Sequence, residues 1–332
     1  NKRVDLSEAV SERPQTAALS VLRPLLLSVV HSKAENFKPQ ELANILWSMA
    51  TLGFGLSSSQ DQSNNTYLIL ERDRQPEDSQ IMLETVDVLV QISITMLPQF
   101  QSQDLSNIPW ALARLLRNTS NEADAELGVN DVHKLLRGIG KRMTDPRLAM
   151  KSQEISNTLW GMANLEFSNA DIYQGIVSHL LSPEIASQCE PQHFSNSLWA
   201  MATAELEIAG KLVFDTTLIP VSERAAQATD PATTIFGLAA KDMMRRPYQY
   251  SSQAIKDILW SFSKLGIRHP SLFRTMAQHL AGKYKDDANA RGVDEFTTQG
   301  LANIAWAYAR QAQLAEEHDQ DSSGAVINTD IG

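Results

Sequence analysis

Cysteine is almost absent from this sequence: Cys189 is the single one in 332 residues. One thiol cannot close an intramolecular disulfide, so no disulfide framework is expected, and the usage fits a reducing compartment. Long apolar runs are lacking as well. The longest, residues 25–30, contains Ser28 and falls far short of a membrane span of about 20 residues, so no membrane insertion is expected. Basic residues are in deficit, with 29 Lys and Arg against 39 Asp and Glu, a net charge of −10. A generic nucleic-acid coat is basic, because neutralising phosphates and releasing counterions supplies most non-specific affinity. Any nucleic-acid site here must therefore be a local stripe on an acidic body. Ligand-type histidine patterns are missing too: the seven histidines are scattered, with no HExxH and no Cys/His set, so neither a metal nor a cofactor is expected. The run Gly138-Ile139-Gly140-Lys141-Arg142 lacks the upstream glycine and the Ser or Thr after Lys that a phosphate loop needs. No base, nucleophile and oxyanion site come together, and the chain does not read as an enzyme. It opens on Asn1 and not on methionine, so a fragment or a processed form is expected, with room for a lost targeting peptide.

What the chain has is tryptophan in register. There are six: Trp47, Trp110, Trp160, Trp199, Trp260 and Trp306. Each lies in the same context, from FKPQELANILWSMATLGF in the first copy to FTTQGLANIAWAYARQ in the sixth. A glutamine stands seven residues before every Trp: Gln40, Gln103, Gln153, Gln192, Gln253 and Gln299. Three residues before it stands Asn44, Asn107, Asn157, Asn196 or Asn303, and in the fifth copy Asp257. Four residues after it the residue is always polar but varies: Thr51, Arg114, Asn164, Thr203, Lys264 and Arg310. The shortest interval, from Trp160 to Trp199, sets a unit of about 39 residues, and the longer intervals read as insertions between constant units.

Each motif has helical periodicity. In the first copy Leu42, Ile45, Leu46, Met49, Leu52 and Gly53 cover one broad side, which Ala43, Trp47 and Ala50 are read as extending. Gln40, Asn44 and Thr51 line up opposite. The Pro, Ser or Thr before each Gln predicts six helix starts: Pro39, Ser102, Ser152, Pro191, Ser252 and Thr298. Leu52-Gly53 and Leu265-Gly266 predict stops. Pro109, inside the second motif, should kink that helix or delay its start. A second amphipathic helix is expected over residues 81–96, 129–143, 171–181 and 271–280. One such hairpin cannot bury its apolar side alone, so the units must stack.

The predicted fold is therefore all-α: a right-handed α-solenoid of stacked two-helix repeats, with about six motif copies and loop insertions. Residues 1–36 read as the second helix of a partial repeat or a cap, its helix over residues 14–30. Residues 37–311 form the array, with copies starting near 37, 100, 150, 189, 250 and 296 and insertions near 55–80 and 206–230. Residues 312–332 read as an acidic, disordered tail.

At this point the motif becomes specific. The pattern Q-x-[LIF]-[SA]-N-x-x-W-[ASG]-[MLFY]-[AS] resembles the octotricopeptide-type repeats of nucleus-encoded organelle proteins. It is also similar to the leucine-rich helical region of FAST-kinase-domain-like mitochondrial RNA regulators. The resemblance covers residues 37–311. It implies a protein of the mitochondrion or plastid that binds single-stranded organelle RNA and governs its processing, stability or translation. The small C-terminal RAP domain that many such proteins carry is not seen. By the same resemblance, the column after each Trp (Thr51, Arg114, Asn164, Thr203, Lys264, Arg310) supplies one RNA-contacting side chain per repeat, since modular repeats read bases with a few side chains each. The Gln and Asn columns can join it, because amides both donate and accept; capping or inter-repeat packing is the alternative for them. The tryptophans read as structural core, with base stacking the alternative. The acidic balance keeps a second reading open: a scaffold for protein partners, or a structural subunit of an organellar ribonucleoprotein complex.

Overall fold

The structure is a computed structural model that describes residues 24, 26–30, 37–52, 76–116, 129–204, 235–282 and 295–327. Among the described residues every regular element is helical. In chain order these are α1 (Pro39–Thr51), α2 (Pro76–Met96), α3 (Ser102–Leu115), α4 (Val129–Met143), α5 (Ser152–Asn164) and α6 (Ala170–Ser178). They continue with α7 (Pro183–Ala186), α8 (Pro191–Thr203), α9 (Ile235–Arg245), α10 (Ser252–Lys264), α11 (Pro270–Leu280) and α12 (Thr298–Ile327). The six Trp motifs are α1, α3, α5, α8, α10 and α12. Their first residues are the six starts that the Pro, Ser and Thr positions predict.

Why each motif helix starts there is a matter of orphan N–H groups. In α1 the Glu41 carboxylate accepts the Lys38 N–H at 2.9 Å. Asp104 accepts from Gln101 at 3.1 Å, Glu154 from Lys151 at 2.9 Å, and the His193 Nδ1 from Glu190 at 3.1 Å. The last two copies have Ala254 and Gly300 at that position, which cannot reach back. There the residue before the helix supplies the bond instead: Ser251 Oγ accepts the Ala254 N–H at 3.1 Å, and Thr297 Oγ1 accepts the Gly300 N–H at 3.0 Å. One of two chemical solutions caps every motif helix.

The chain forms two compact units, residues 1–150 with 164–167, and residues 151–163 with 168–332. In the first unit the motif helices α1 and α3 pack on each other, the intervening helices α2 and α4 do the same, and α1–α2 and α3–α4 join the two layers. In the second unit α8 packs on α10 and α10 on α12, while α9 packs on α8 and α11. Ser152 and His193 link the starts of α5 and α8, their Oγ and Nδ1 3.0 Å apart. Between α10 and α12, Ser263 Oγ donates to the Ala307 carbonyl at 2.9 Å, and Gln311 Nε2 to the Ile267 carbonyl at 2.8 Å. Small residues there let the backbones come close enough for such bonds.

The core of each motif helix comes from fixed positions. Five, one and minus three residues before the Trp stand Leu42, Leu46 and Ala50, then Leu105, Pro109 and Ala113, Ile155, Leu159 and Ala163, Phe194, Leu198 and Ala202, and Ile255, Leu259 and Ser263, all buried. In α12 the matching Leu301, Ala305 and Ala309 are exposed. The residue ten before the Trp anchors the approach to the helix: Phe100, Met150, Cys189 and Tyr250 are buried. Burial pushes the Cys189 thiol up to about 11, which suits a small core side chain and not a nucleophile. Gly138 and Gly140 lie within α4, so that run is helix and not a phosphate loop.

Several expectations are corrected. Pro109 does not delay its helix: α3 starts in register at Ser102 and carries Pro109 buried in its interior. The insertion expected over 55–80 ends earlier, because Pro76, suited to the first turn of a helix, opens α2. Its residues 55–75 and the insertion at 206–230 lie outside the described residues, as do 1–23 of the N-terminal segment. Residues 24 and 26–30 are helical, with Leu26 and Val29 buried. The backbone expected to be a disordered tail continues as helix to Ile327, through good helix formers such as Ala315, Glu316 and Glu317. Residues 328–332 lie outside the description. Residues Ile81–Gln99 are apolar and long enough to cross a membrane by length and composition, although polar residues interrupt the stretch. In this fold the segment is mostly α2, which packs on α1 and α4 and buries Met82, Val86, Leu89 and Val90.

The predicted stop at Gly266 is realised. Gly266 adopts φ +70°, its N–H bonds to the Ser263 carbonyl at 3.2 Å, and the Ile267 N–H closes onto the Phe262 carbonyl at 2.8 Å.

Candidate functional site

The motif's spacing decides which side chains reach solvent together. From Gln to Asn is four residues, from Asn to Trp three, and from Trp to the variable polar residue four. At 100° per residue these four positions fall within about 60° of one another on a helix. The tryptophan therefore belongs to the polar stripe. Seven residues from the Gln is close to two full turns, and its large apolar ring does not move it to the other side.

Accessibility follows that geometry, and two of the six tryptophans read as structural core are exposed. Trp47 is 44% exposed and Trp306 45%. Trp110, Trp160, Trp199 and Trp260 are half-buried. Their neighbours on the helix show the contrast: Leu46, Leu159, Leu198 and Leu259, one residue earlier, are fully buried. The core is made by the aliphatic positions, and the indoles lie at its outer edge.

The Gln column is exposed in all six copies: Gln40, Gln103, Gln153, Gln192, Gln253 and Gln299. The Asn column lies slightly deeper. Asn44 is exposed, Asn107, Asn157, Asn196 and Asn303 are half-buried, and Asp257 is buried. In that fifth copy Gln253 Nε2 donates to Asp257 Oδ2 at 2.8 Å, and Lys256 Nζ lies 2.8 Å from the other carboxylate oxygen. Burial pushes the Asp257 pKa up, against the pull of Lys256 and Gln253.

The variable column is less uniform than its polarity suggests. Thr51 and Lys264 are exposed, and Arg114, Asn164, Thr203 and Arg310 are half-buried. The Arg114 guanidinium sits over the Trp110 ring, 4.9 Å from its centroid. Arg310 pairs with Glu317 at 2.8 Å. The Thr203 hydroxyl oxygen is itself buried and finds no hydrogen-bond partner, so this copy turns its variable group inward. In the second unit Trp160 and Trp199 come together, with ring centroids 6.5 Å apart and 33° between planes.

Four arginines outside the motifs have local partners. Arg245 and Arg246 bond to Asp242 at 2.9 and 2.7 Å, Arg246 also reaches the Cys189 carbonyl, and Arg147 pairs with Asp145 at 2.9 Å. Arg142 donates to the Phe100 carbonyl at 3.5 Å. Among the described residues no three His, Cys, Asp or Glu side chains are grouped to hold a metal ion. The arrangement offers amides, indole faces and a few cations along one side of each motif helix.

Compared with family models, the chain matches none, and no curated protein matches it.

Proposed function

We propose that this chain is an RNA-binding helical-repeat protein, a right-handed α-solenoid that holds single-stranded RNA along the exposed stripes of its motif helices. The observation that carries this reading is the Gln column. A residue that is the same in six copies and exposed in all six is not explained by packing. A hydrogen-bonding ligand met in the same way by each copy would explain it. The likeness to octotricopeptide-type and FAST-kinase-associated repeats supports the same reading, with the mitochondrion or plastid as the site of action and RNA processing, stability or translation as the task. No catalytic step is assigned to the chain.

The test is binding of the purified protein to a pool of short single-stranded RNAs, followed by anisotropy, with duplex RNA as competitor. Sub-micromolar binding of single strands that duplex does not displace is the expected result. Absence of binding at low salt would remove RNA as the ligand of these helices.

One observation favours a second reading. Leu301 is 41% exposed beside exposed Ala302, Ala305 and Ala309, at positions that preceding copies mostly bury. A small apolar face of this kind suits a protein partner, as in a scaffold or a subunit of a ribonucleoprotein complex.

A further inference from the structure

The tryptophans raise a question that RNA binding alone does not answer. An indole stands at one position in six helices, is 44% and 45% exposed in two of them and keeps part of its surface accessible in the other four. We infer that the tryptophan column is the base-contacting surface: single-stranded nucleic acid binds with its bases stacked on the indoles, while the Gln and Asn amides bond to base edges or ribose. The inference rests on the RNA reading above and names how that same site holds its ligand.

Three features point this way. First, the indole lies between the Asn and the variable residue on the stripe, so a ring stacked on it has hydrogen-bonding groups on either side along the helix. Second, Trp160 and Trp199 lie side by side, with ring centroids 6.5 Å apart and 33° between planes, so two motif helices present their indoles together as one aromatic surface. Arg114 over Trp110 adds a planar cation that stacks on bases in the same way. Third, electrostatics leave little else. The chain carries −10, and only Arg114, Lys264 and Arg310 are basic at the stripe positions. A ligand held mainly by phosphates would need more positive charge than this. Every base has a π-face, so stacking tolerates sequence, and readout falls to the amides and to the residue after each Trp.

Two consequences separate this arrangement from phosphate clamping. Affinity should depend weakly on salt, with log K falling against log salt with a slope no steeper than about −2, because single strands contribute roughly 0.7 per phosphate neutralised. A strand carrying abasic sites keeps all its phosphates but should lose binding.

The experiment uses the full chain with a single-stranded RNA oligonucleotide selected from the pool, the same strand with abasic positions, and intrinsic tryptophan fluorescence as the second readout. Trp47→Leu, Trp199→Leu and Trp306→Leu are compared with the corresponding Trp→Tyr changes, and circular dichroism melts show that each variant is folded. Stacking predicts quenching of the native fluorescence on binding and a loss of roughly tenfold or more in affinity when Trp199 becomes Leu. Tyr should retain most of the affinity, and the abasic strand should fail to bind. If RNA binds without quenching, and the Leu variants and the abasic strand bind like the parents, the inference is overturned and the RNA reading stands. If no single strand binds at all, both fall together.

Discussion

Glu166 and Gly266 occupy the same left-handed corner, six residues after Trp160 and Trp260, with φ of 54° and 70°. Glycine takes this conformation freely, and a residue with a Cβ does so at a cost of about 1 kcal/mol. Glu166→Gly is expected to stabilise the protein by about 0.5 kcal/mol, with part of the strain relief offset by the freer unfolded chain. Gly266→Ala is expected to destabilise it by about 1 kcal/mol or more. Urea melts of both variants check the pair; opposite signs are required.

The placement of the indoles makes an unusual size prediction. Leu46 is fully buried and Trp47, beside it, is 44% exposed. Leu46→Ala should cost about 2–5 kcal/mol, because it leaves a cavity. Trp47→Ala removes a far larger side chain, but one only partly buried, and should cost less than Leu46→Ala. Equal or reversed costs in thermal melts would return the tryptophan to the core.

Much of this was legible in the sequence, and the failures share a cause. The six helix starts could be read because Pro, Ser and Thr at the first helical position have a local preference that needs no knowledge of neighbours. The helix from Val129 to Met143 was readable for the same reason, its apolar spacing being local. The chemistry of tryptophan points to the core, whereas its angle, seven residues from an exposed Gln, places it on the stripe. The inward hydroxyl of Thr203 and the bond from Gln311 to the Ile267 carbonyl depend on packing between helices, which no local pattern carries. Capping by Glu41, Asp104, Glu154 and His193 was available as a spacing of three from the residue before the helix. It was hidden because that residue is not the usual Ser or Thr.

The junction of α5 and α8 should respond to acid. His193 Nδ1 accepts the Glu190 N–H and lies 3.0 Å from Ser152 Oγ, which requires the neutral ring. Burial lowers its pKa from the ordinary 6.5, against the opposite pull of Glu190. With the folded value below the unfolded one, the unfolded chain binds the proton more readily. The contribution is thus complete above the unfolded value and lost as pH falls through it toward the folded one. The melting temperature should drop on going from about pH 7.5 to about pH 5.5, and His193→Glu, the residue that caps α1 and α5, should remove that drop.

Asp257 titrates in the opposite sense. Its burial raises its pKa above 3.8, so its favourable contribution is complete below that value and is lost as pH rises through the folded pKa. At neutral pH the position carries the cost of a buried carboxylate. Asp257→Asn, which restores the residue of the other five copies, should raise the melting temperature at pH 7, and the gain should shrink as pH approaches 3.8. A lower melting temperature at pH 7 would show that the bonds to Gln253 and Lys256 outweigh burial.

The separation of stripe from core has a consequence for how such a chain can diverge. Thr51 and Lys264 face water at the variable position, and exchanges at such sites usually shift stability by no more than about 0.5 kcal/mol. A lineage can try new side chains there while Leu46 and Leu259 keep the helices in place. Recognition can drift copy by copy at almost no thermodynamic penalty, and paralogues with the same skeleton can part company in what they hold.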